Sequence, residues 1–271
     1  MEASDAATKD PIWRTAMRSL FKKWIKSEER HVYRVPEGQR VYAVGDIHGR
    51  LDLFEGLIAQ IEEDDARRGP ADTTVVLLGD LVDRGPDSAG VIDAAIAWSA
   101  RRRVRTLCGN HEEMFLKSLE SEKVLREFLR FGGRETVLSY PIEPHEYAEL
   151  TFEDLRKRLC TLVPLEHLEF LKGLEDWIVI GDYLFVHAGI RPGVAIDKQS
   201  VQDLRWIREP FLSADAPSPY CVVHGHTIYD QPLEQSGRVG IDTGAYQSGV
   251  LTALGLEGER RWFVATPKAN S

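Results

Sequence analysis

The sequence has few cysteines and no long apolar run. Cys108, Cys160 and Cys221 lie far apart, so none has the close spacing of a zinc finger or a redox pair, and we expect no disulfide scaffold. No stretch reaches 18 apolar residues, which argues against a transmembrane helix. The first ten residues, MEASDAATKD, lack the basic and then apolar character of a secretory signal. We therefore expect a cytoplasmic protein.

Basic residues are outnumbered in this chain. The 34 lysines and arginines face 43 aspartates and glutamates, for a net charge of −9, which argues against broad coating of a nucleic-acid backbone. We expect no nucleic-acid partner, although a small anionic group could still be bound locally. With 271 residues, of which 43% are hydrophobic, the chain can bury a sizeable core.

Residues 12–26 are predicted to form an amphipathic basic helix. Apolar side chains, among them Trp13, Phe21 and Trp24, recur at helical spacing with arginines and lysines between them. Such a helix could dock on the acidic body of its own chain, mediate a dimer, or lie at an anionic membrane surface. A disordered tail is the remaining alternative. We take residues 1–38 as this helix and a linker, and residues 39–271 as one domain.

The domain begins with alternating strands and helices. Three β-rich runs each end in glycine and a polar residue: VYAVGD (41–46), TTVVLLGD (73–80) and VRTLCGN (104–110). Helical periodicity in 51–65 and 87–100 separates these runs, as in strand–helix–strand crossovers. Because ligand sites form beyond the carboxyl ends of such strands, Asp46, Asp80 and Asn110 are expected to converge.

The rest of the chain is predicted to contain a helical insertion and more strands. Residues 112–176 are mostly helical in pattern and are interpreted as a cap inserted into the α/β body. Residues 177–189 read as a hairpin with a Gly-Asp turn. Further strands are predicted at 220–224, 238–242, 249–254 and 261–265.

Five histidines at the ends of apolar runs lie within two residues of a glycine: His48, His111, His187, His224 and His226. Any one of them could be a buried structural histidine, but five together favour a metal site. In an extended segment Asp46 and His48 point to the same side. Carboxylate, amide and imidazole ligands without thiolate favour manganese, iron or zinc.

The chain resembles the phosphoprotein phosphatase family, bacterial type, within the calcineurin-like metallophosphoesterases. Five motifs in order carry the resemblance: GDIHG (45–49), GDLVDRG (79–85), GNHE (109–112), HAG (187–189) and HGHT (224–227). The resemblance implies an α/β sandwich of two mixed β-sheets flanked by helices, with 112–176 as the helical cap. It implies that residues 39–271 are a catalytic domain, and it does not extend to residues before 40.

The resemblance also implies a site for two divalent metal ions, of which manganese is our first choice and iron or zinc the alternatives. Asp46 and His48 would bind the first ion, and Asp80 would bridge both. The second ion would be completed by Asn110, His187 and His226. Such a pair activates a water molecule for in-line attack on phosphorus. Many other metallophosphoesterases carry Gly-His-x-His, but Ile228 stands here in place of the last histidine.

The remaining residue roles are likewise implied by the resemblance. His111 would be the general acid that protonates the leaving alkoxide, oriented by Asp83. Arg84 would contact phosphate oxygens through its planar guanidinium. A second phosphate-binding arginine is Arg208, with Arg191 as the alternative; a structural ion pair is the competing interpretation for each.

Two further residues are expected to support the site. His224 would lie behind the ligands, either supporting Asp80 or His226 or simply packed in the core. Asp242 would fix the loop near His226, although turn formation explains it nearly as well.

The leading functional interpretation is a metal-dependent phosphomonoester hydrolase acting on phosphoserine and phosphothreonine in proteins. Symmetrical diadenosine tetraphosphate hydrolases typically have a non-acidic residue at the position of Asp83, so this residue favours phosphomonoesters. The alternative is a dinucleoside polyphosphate or nucleotide hydrolase with the same metals. A non-catalytic scaffold that binds phosphoproteins would require a missing ligand or acid, and none is missing.

Overall fold

The computed structural model describes residues 32–214, 218–235 and 237–268. Contacts divide the chain into two units, Met1–Val32 and Tyr33–Ser271, and the fold below is that of the second. The predicted helix at 12–26 lies outside the described residues. Within them, no helix is both long and apolar enough to cross a membrane.

Ten strands form two mixed sheets within the described residues. They are β1 (Gln39–Val44), β2 (Asp72–Leu77), β3 (Val104–Thr106), β4 (Trp177–Ile180), β5 (Tyr183–Val186), β6 (Cys221–His224), β7 (Leu233–Gln235), β8 (Arg238–Gly240), β9 (Thr252–Glu257) and β10 (Arg260–Ala265). The strand orders are β10-β9-β1-β2-β3 and β4-β5-β6-β8-β7. Parallel pairing joins β1 to β2 and β2 to β3 in the first sheet, and β5 to β6 and β6 to β8 in the second.

The helices lie outside the sheets. They are α1 (Leu51–Arg68), α2 (Ser88–Ser99), α3 (Asn110–Glu120), α4 (Glu122–Phe128), α5 (Arg134–Ser139), α6 (Pro144–Glu149), α7 (Phe152–Leu162), α8 (Leu165–Lys172), α9 (Val201–Trp206) and α10 (Ala245–Ser248). A π-helical turn, Leu129–Gly133, joins α4 to α5, and a 3₁₀ turn, Ile196–Lys198, precedes α9. Helix α2 begins as its sequence predicts, because the Asp87 side chain accepts a hydrogen bond from Gly90 N.

Strand periodicity divides the core into layers. In β1, Val41 and Ala43 face the apolar layer between the two sheets, whereas Tyr42 and Val44 face the helices. Residues of the second sheet, such as Phe185 and Val223, complete the layer between the sheets. This arrangement confirms the prediction of an α/β sandwich of two mixed sheets flanked by helices.

Strands β9 and β7 differ from the prediction. β9 begins at Thr252 and ends at Glu257, later than the predicted 249–254, because Ser248 and Gly249 close α10 first. β7 (Leu233–Gln235) is a short edge strand of mixed polarity that the sequence pattern did not predict. The helices α3 to α8 span Asn110–Lys172, where the sequence predicts the helical cap.

Candidate functional site

The loops that follow β1, β2 and β3 meet at one edge of the first sheet. Ile47 N and His48 N both donate to Asp80 O, at 3.0 and 2.9 Å, and His111 N donates to Asp80 Oδ1 at 3.1 Å. The second sheet joins them, since His226 N donates to Asp46 Oδ2 at 2.9 Å. Residues far apart in the sequence therefore form one cluster, as the positions of the strand ends predict.

Asp80 lies at the centre of this cluster. It belongs to two groups of side chains whose potential ligand atoms lie within 4.8 Å of one another. One group contains His48, Asp80 and His111, and the other contains Asp80, His187 and His226. Both groups are buried, and Asp80 alone belongs to both. A carboxylate with two oxygens in this position can bridge two cations.

In two histidines, a backbone carbonyl group determines which ring nitrogen carries the proton. His48 Nδ1 lies 2.8 Å from Val82 O and His187 Nδ1 lies 2.9 Å from Leu78 O. Because a carbonyl can only accept, each Nδ1 carries the proton, and in the neutral ring each Nε2 has a lone pair that can bind a metal. At His48 this atom lies 2.8 Å from Arg84 Nη1, which donates to it.

The lone pairs of the second group point at one another. His187 Nε2 lies 3.1 Å from Asn110 Oδ1 and 3.4 Å from Asp80 Oδ1. His226 Nε2 and Asp46 Oδ1 are buried without a hydrogen-bond partner. Buried polar atoms ordinarily find a partner, and divalent cations would satisfy these atoms. The donor set therefore fits divalent metal ions.

The pKa values of the buried groups follow the same electrostatics. Burial, and then the charges of Asp242 and Asp80, raise the pKa of Asp46 well above its usual range. Burial lowers the pKa of His226 to about 3, so this ring is neutral at ordinary pH. Several carboxylates in one buried site need a compensating positive charge, which bound metal ions supply.

His111 and Asp83 form a buried pair beside Asp80. His111 Nδ1 lies 2.6 Å from Asp83 Oδ2. Burial opposes the charged imidazolium, but Asp80 and Asp83 outweigh it and raise the pKa of His111 above its usual value. The imidazole is thus held in one orientation, with its Nε2 directed towards Arg84 Nη2 at 2.9 Å.

A small cleft opens over this cluster, and the structure brings Arg208 to it. Its volume is about 210 Å³, and it is lined by Asp80, Arg84, Arg208, His226, Thr227, Ile228 and Tyr246. Arg208 Nη2 donates to His226 O at 3.3 Å. Arg191 is elsewhere: its guanidinium forms two hydrogen bonds with Asp203, at 3.0 and 2.6 Å, and its side chain is 51% exposed.

His224 and Asp242 lie behind the cleft. His224 is buried against the rings of Phe211 and Tyr229, and its Nδ1 lies 3.0 Å from Gly225 O. Burial lowers its pKa to about 4. Asp242 Oδ1 accepts from Gly244 N at 2.8 Å, which closes the turn, and burial raises its pKa to about 6. Both residues thus shape the backbone next to His226 and Asp46.

Backbone strain is concentrated at this site. Five described residues other than glycine have a positive φ, and all belong to the cluster or its loops: His48, Asp80, Asp83, Arg84 and His226. Such conformations cost free energy and persist where the surroundings impose them, typically at functional sites. The glycines of the motifs serve the same close approach, because a Cβ on Gly109 or Gly225 would overlap the carboxylate of Asp80 or Asp46.

Comparison with known proteins identifies the family. The model of the calcineurin-like phosphoesterases matches residues 39–248, which include every motif described above. The chain belongs to the calcineurin-like phosphoesterase family. It is therefore a member of a family of metal-dependent hydrolases of phosphate esters, and its histidine and aspartate groups could bind the metals.

Relatives within the calcineurin-like phosphoesterases differ in activity. The chain is 40% identical to serine/threonine-protein phosphatase 1 of Salmonella typhimurium, over 81% of this chain and 93% of that protein. It is 27% identical to an asymmetrical bis(5'-nucleosyl)-tetraphosphatase of Anoxybacillus flavithermus, over 78% of this chain and 88% of that protein. A crystal structure provisionally described as a diadenosine tetraphosphatase has a TM-score of 0.61 and 23% identity, and covers 88% of this chain and 100% of its own. The last similarity supports the fold alone.

Three residues of this phosphoesterase site were not singled out from the sequence. The buried Glu112 carboxylate accepts from the backbone N–H groups of Asp80, Leu81, Val82 and Gly109 and so fixes the loop after β2. Its position in the GNHE motif could have indicated from the sequence that Glu112 belongs to the site. Tyr246 lies under the Arg84 guanidinium, with 4.9 Å from Cζ to the ring centre. Thr136 contacts Asp83 from 53 residues away, and nothing local in the sequence marks it.

Proposed function

We propose that the chain is a metal-dependent phosphomonoester hydrolase that acts on phosphoserine and phosphothreonine in proteins. Asp46 and His48 would hold one divalent ion, Asn110, His187 and His226 the other, and Asp80 both. Manganese is the first choice, with iron or zinc as alternatives. When bound, the two ions would activate a water molecule and offset the charge on phosphorus. All six side chains are buried, four of them belong to the two groups of potential ligands, and Asp46 and Asn110 contact His226 and His187, which supports this assignment.

The single observation that carries the choice of substrate is the His111–Asp83 pair. An alkoxide from serine or threonine is a poor leaving group and needs a proton as the P–O bond breaks. His111 Nε2 lies 2.9 Å from the guanidinium of Arg84, a residue of the cleft lining, and Asp83 holds its Nδ1 at 2.6 Å. Hydrolysis of a polyphosphate expels a phosphate group, which leaves readily without protonation. A held general acid therefore favours the phosphomonoester, as does the similarity to the Salmonella phosphatase.

Arg84 and Arg208 would bind the phosphate oxygens from two sides of the cleft. We expect Arg84→Ala and Arg208→Ala each to raise KM for phosphomonoesters roughly 10-fold or more, because a hydrogen bond to a charged group contributes about 1.5–3 kcal/mol. The measurement is KM together with competitive inhibition by inorganic phosphate. Arg191→Ala is the matched control, since its exposed ion pair with Asp203 lies outside the cleft lining. An unchanged phosphate affinity in Arg208→Ala would remove this residue from the site.

The second candidate function is hydrolysis of dinucleoside tetraphosphates. The similarity to the asymmetrical tetraphosphatase favours it, because that relative is matched over 88% of its length. The cleft would then have to accept a chain of phosphates.

Side-by-side kinetics decide between the two functions. Purified protein with added Mn²⁺ is assayed on phosphoserine and phosphothreonine peptides, p-nitrophenyl phosphate and diadenosine tetraphosphate. We expect kcat/KM on a phosphopeptide to exceed that on diadenosine tetraphosphate, and a chelator to abolish both activities. A higher kcat/KM on diadenosine tetraphosphate would support the second function instead.

A further inference from the structure

The Asp83 carboxylate is held by a residue from the helical segment, outside the motifs. Thr136, near the start of α5, donates from Oγ1 to Asp83 Oδ1 at 2.6 Å, and Asp83 N donates back to the same hydroxyl at 2.8 Å. Ser88 Oγ lies 2.8 Å from Thr136 Oγ1. Because Thr136 donates its only hydroxyl proton to Asp83, Ser88 is the donor in this second hydrogen bond. Asp83, Ser88 and Thr136 are fully buried. One carboxylate oxygen is thus occupied by Thr136 and the other faces His111.

The same segment also contacts the neighbouring arginine. Arg84 N donates to Gly132 O at 3.0 Å, inside the π-helical turn Leu129–Gly133. Gly132 has a φ of 106°, and a Cβ there would lie 2.7 Å from Arg84 Cγ and 2.9 Å from Arg84 N. π-Helical turns are often found at functional sites, and this one lets a backbone carbonyl reach Arg84.

We infer that residues 129–136 position the loop that contains Asp83 and Arg84. Thr136 orients the His111–Asp83 pair, and Gly132 orients Arg84. Asp83 and Arg84 both have a positive φ, of 75° and 69°, so the loop does not favour this conformation by itself. Thr136 and Gly132 are positioning residues, since each acts through a loop residue. The inference rests on the proposed roles of His111 and Arg84.

Thr136→Val tests the first contact because valine keeps the shape and removes the hydroxyl. We expect kcat on a phosphoserine peptide to fall roughly 10-fold or more, the usual effect of removing a partner that orients an active-site group. KM should stay nearly unchanged, and kcat on p-nitrophenyl phosphate should fall much less. Thr136→Ser, which keeps the hydroxyl, should have the same ratio of kcat on the phosphoserine peptide to kcat on p-nitrophenyl phosphate as the unmodified protein.

A matched control and a spectroscopic readout separate orientation from stability. Thr266 is a buried threonine outside the cleft lining whose Oγ1 accepts from Leu251 N at 2.9 Å, so Thr266→Val likewise removes a buried, hydrogen-bonded hydroxyl. It should leave the substrate ratio unchanged. In the metal-free protein, the proton between His111 Nδ1 and Asp83 Oδ2 should give a strongly deshielded NMR resonance that Thr136→Val shifts and Thr136→Ser keeps.

Gly132→Ala tests the second contact. We expect a raised KM for phosphomonoesters with an unchanged ratio of kcat between the two substrates, because the three atoms nearest to the added Cβ all belong to Arg84. Gly69→Ala is the control: Gly69 also has a positive φ, of 82°, but nothing lies within 4 Å of its added Cβ, so this variant adds a methyl group at a positive φ without a clash.

The outcomes distinguish this inference from the proposed function. Suppose that His111→Asn lowers kcat mainly on the phosphopeptide, whereas Thr136→Val lowers kcat equally on the phosphopeptide and on p-nitrophenyl phosphate. The inference about Thr136 is then wrong, and the assignment of His111 as the acid stands. If His111→Asn shows no preference either, the proposed acid itself is wrong. If Gly132→Ala leaves KM unchanged, the contact with Arg84 does not position it.

Discussion

Asp80→Asn is expected to abolish hydrolysis and to lower metal content. The amide keeps the size of the side chain and can still accept from His111 N, which lies 3.1 Å from Asp80 Oδ1, so the loop should keep its structure. It cannot offset the charge of two cations. The loss should exceed the roughly 10–100-fold that follows when only a partner of a ligand is changed.

Metal analysis of the purified variant and single-turnover assays with added Mn²⁺ measure this effect. Asp65→Asn is the matched control, because Asp65 also accepts from arginines, at 2.7 Å from Arg40 Nη1 and 2.6 Å from Arg102 Nη2, but lies outside the cleft. Two retained ions with near-normal turnover in Asp80→Asn would contradict the bridging assignment.

His111→Asn is expected to lower turnover most for substrates with poor leaving groups. Without the acid, turnover of a phosphoserine peptide should fall by roughly 10²–10⁴, whereas p-nitrophenyl phosphate, whose phenolate leaves readily, should be much less affected. Asp83→Asn should cost less, and the double variant should be no worse than His111→Asn, because both residues act on one proton transfer.

His167→Asn is the control for His111→Asn. His167 is likewise buried and hydrogen-bonded at both ring nitrogens, 3.0 Å from Tyr140 Oη and 2.9 Å from Asp93 Oδ1, and it belongs to the helical segment. It should not change the ratio between the two substrates. Equal losses on both substrates in His111→Asn would refute its role as an acid.

The strands and helices near the motifs were predictable because their causes are local. The apolar runs of β1 and β2 and the helical periodicity of residues 87–100 are properties of neighbouring residues, and the structure has β1, β2 and α2 at these places. The short strand β7 was missed because its exposed residues have no hydrophobic alternation, and its pairing with β8 supplies what the sequence pattern lacks.

The identity of the second phosphate-binding arginine, Arg208 or Arg191, could not be settled from the sequence. Arg191 follows His187 closely in the sequence, whereas Arg208 lies further from the next motif histidine, His224. The sequence placed Arg208 first but left Arg191 as the alternative. In the folded chain Arg208 lies beside His226 O, while Asp203 holds Arg191 away from the cleft lining. That choice depends on which side chains the second sheet brings together.

From the sequence, the strand ends predicted that Asp46, Asp80 and Asn110 meet, and the ordered motifs carried the resemblance that implied the family, the two-sheet fold and the candidate ligands. The tertiary structure alone decided which partners complete them. Thr136 reaches Asp83 across 53 positions, and Gly132 reaches Arg84 across 48. These contacts arise when the helical segment packs on the first sheet, and local periodicity carries no information about such long-range packing.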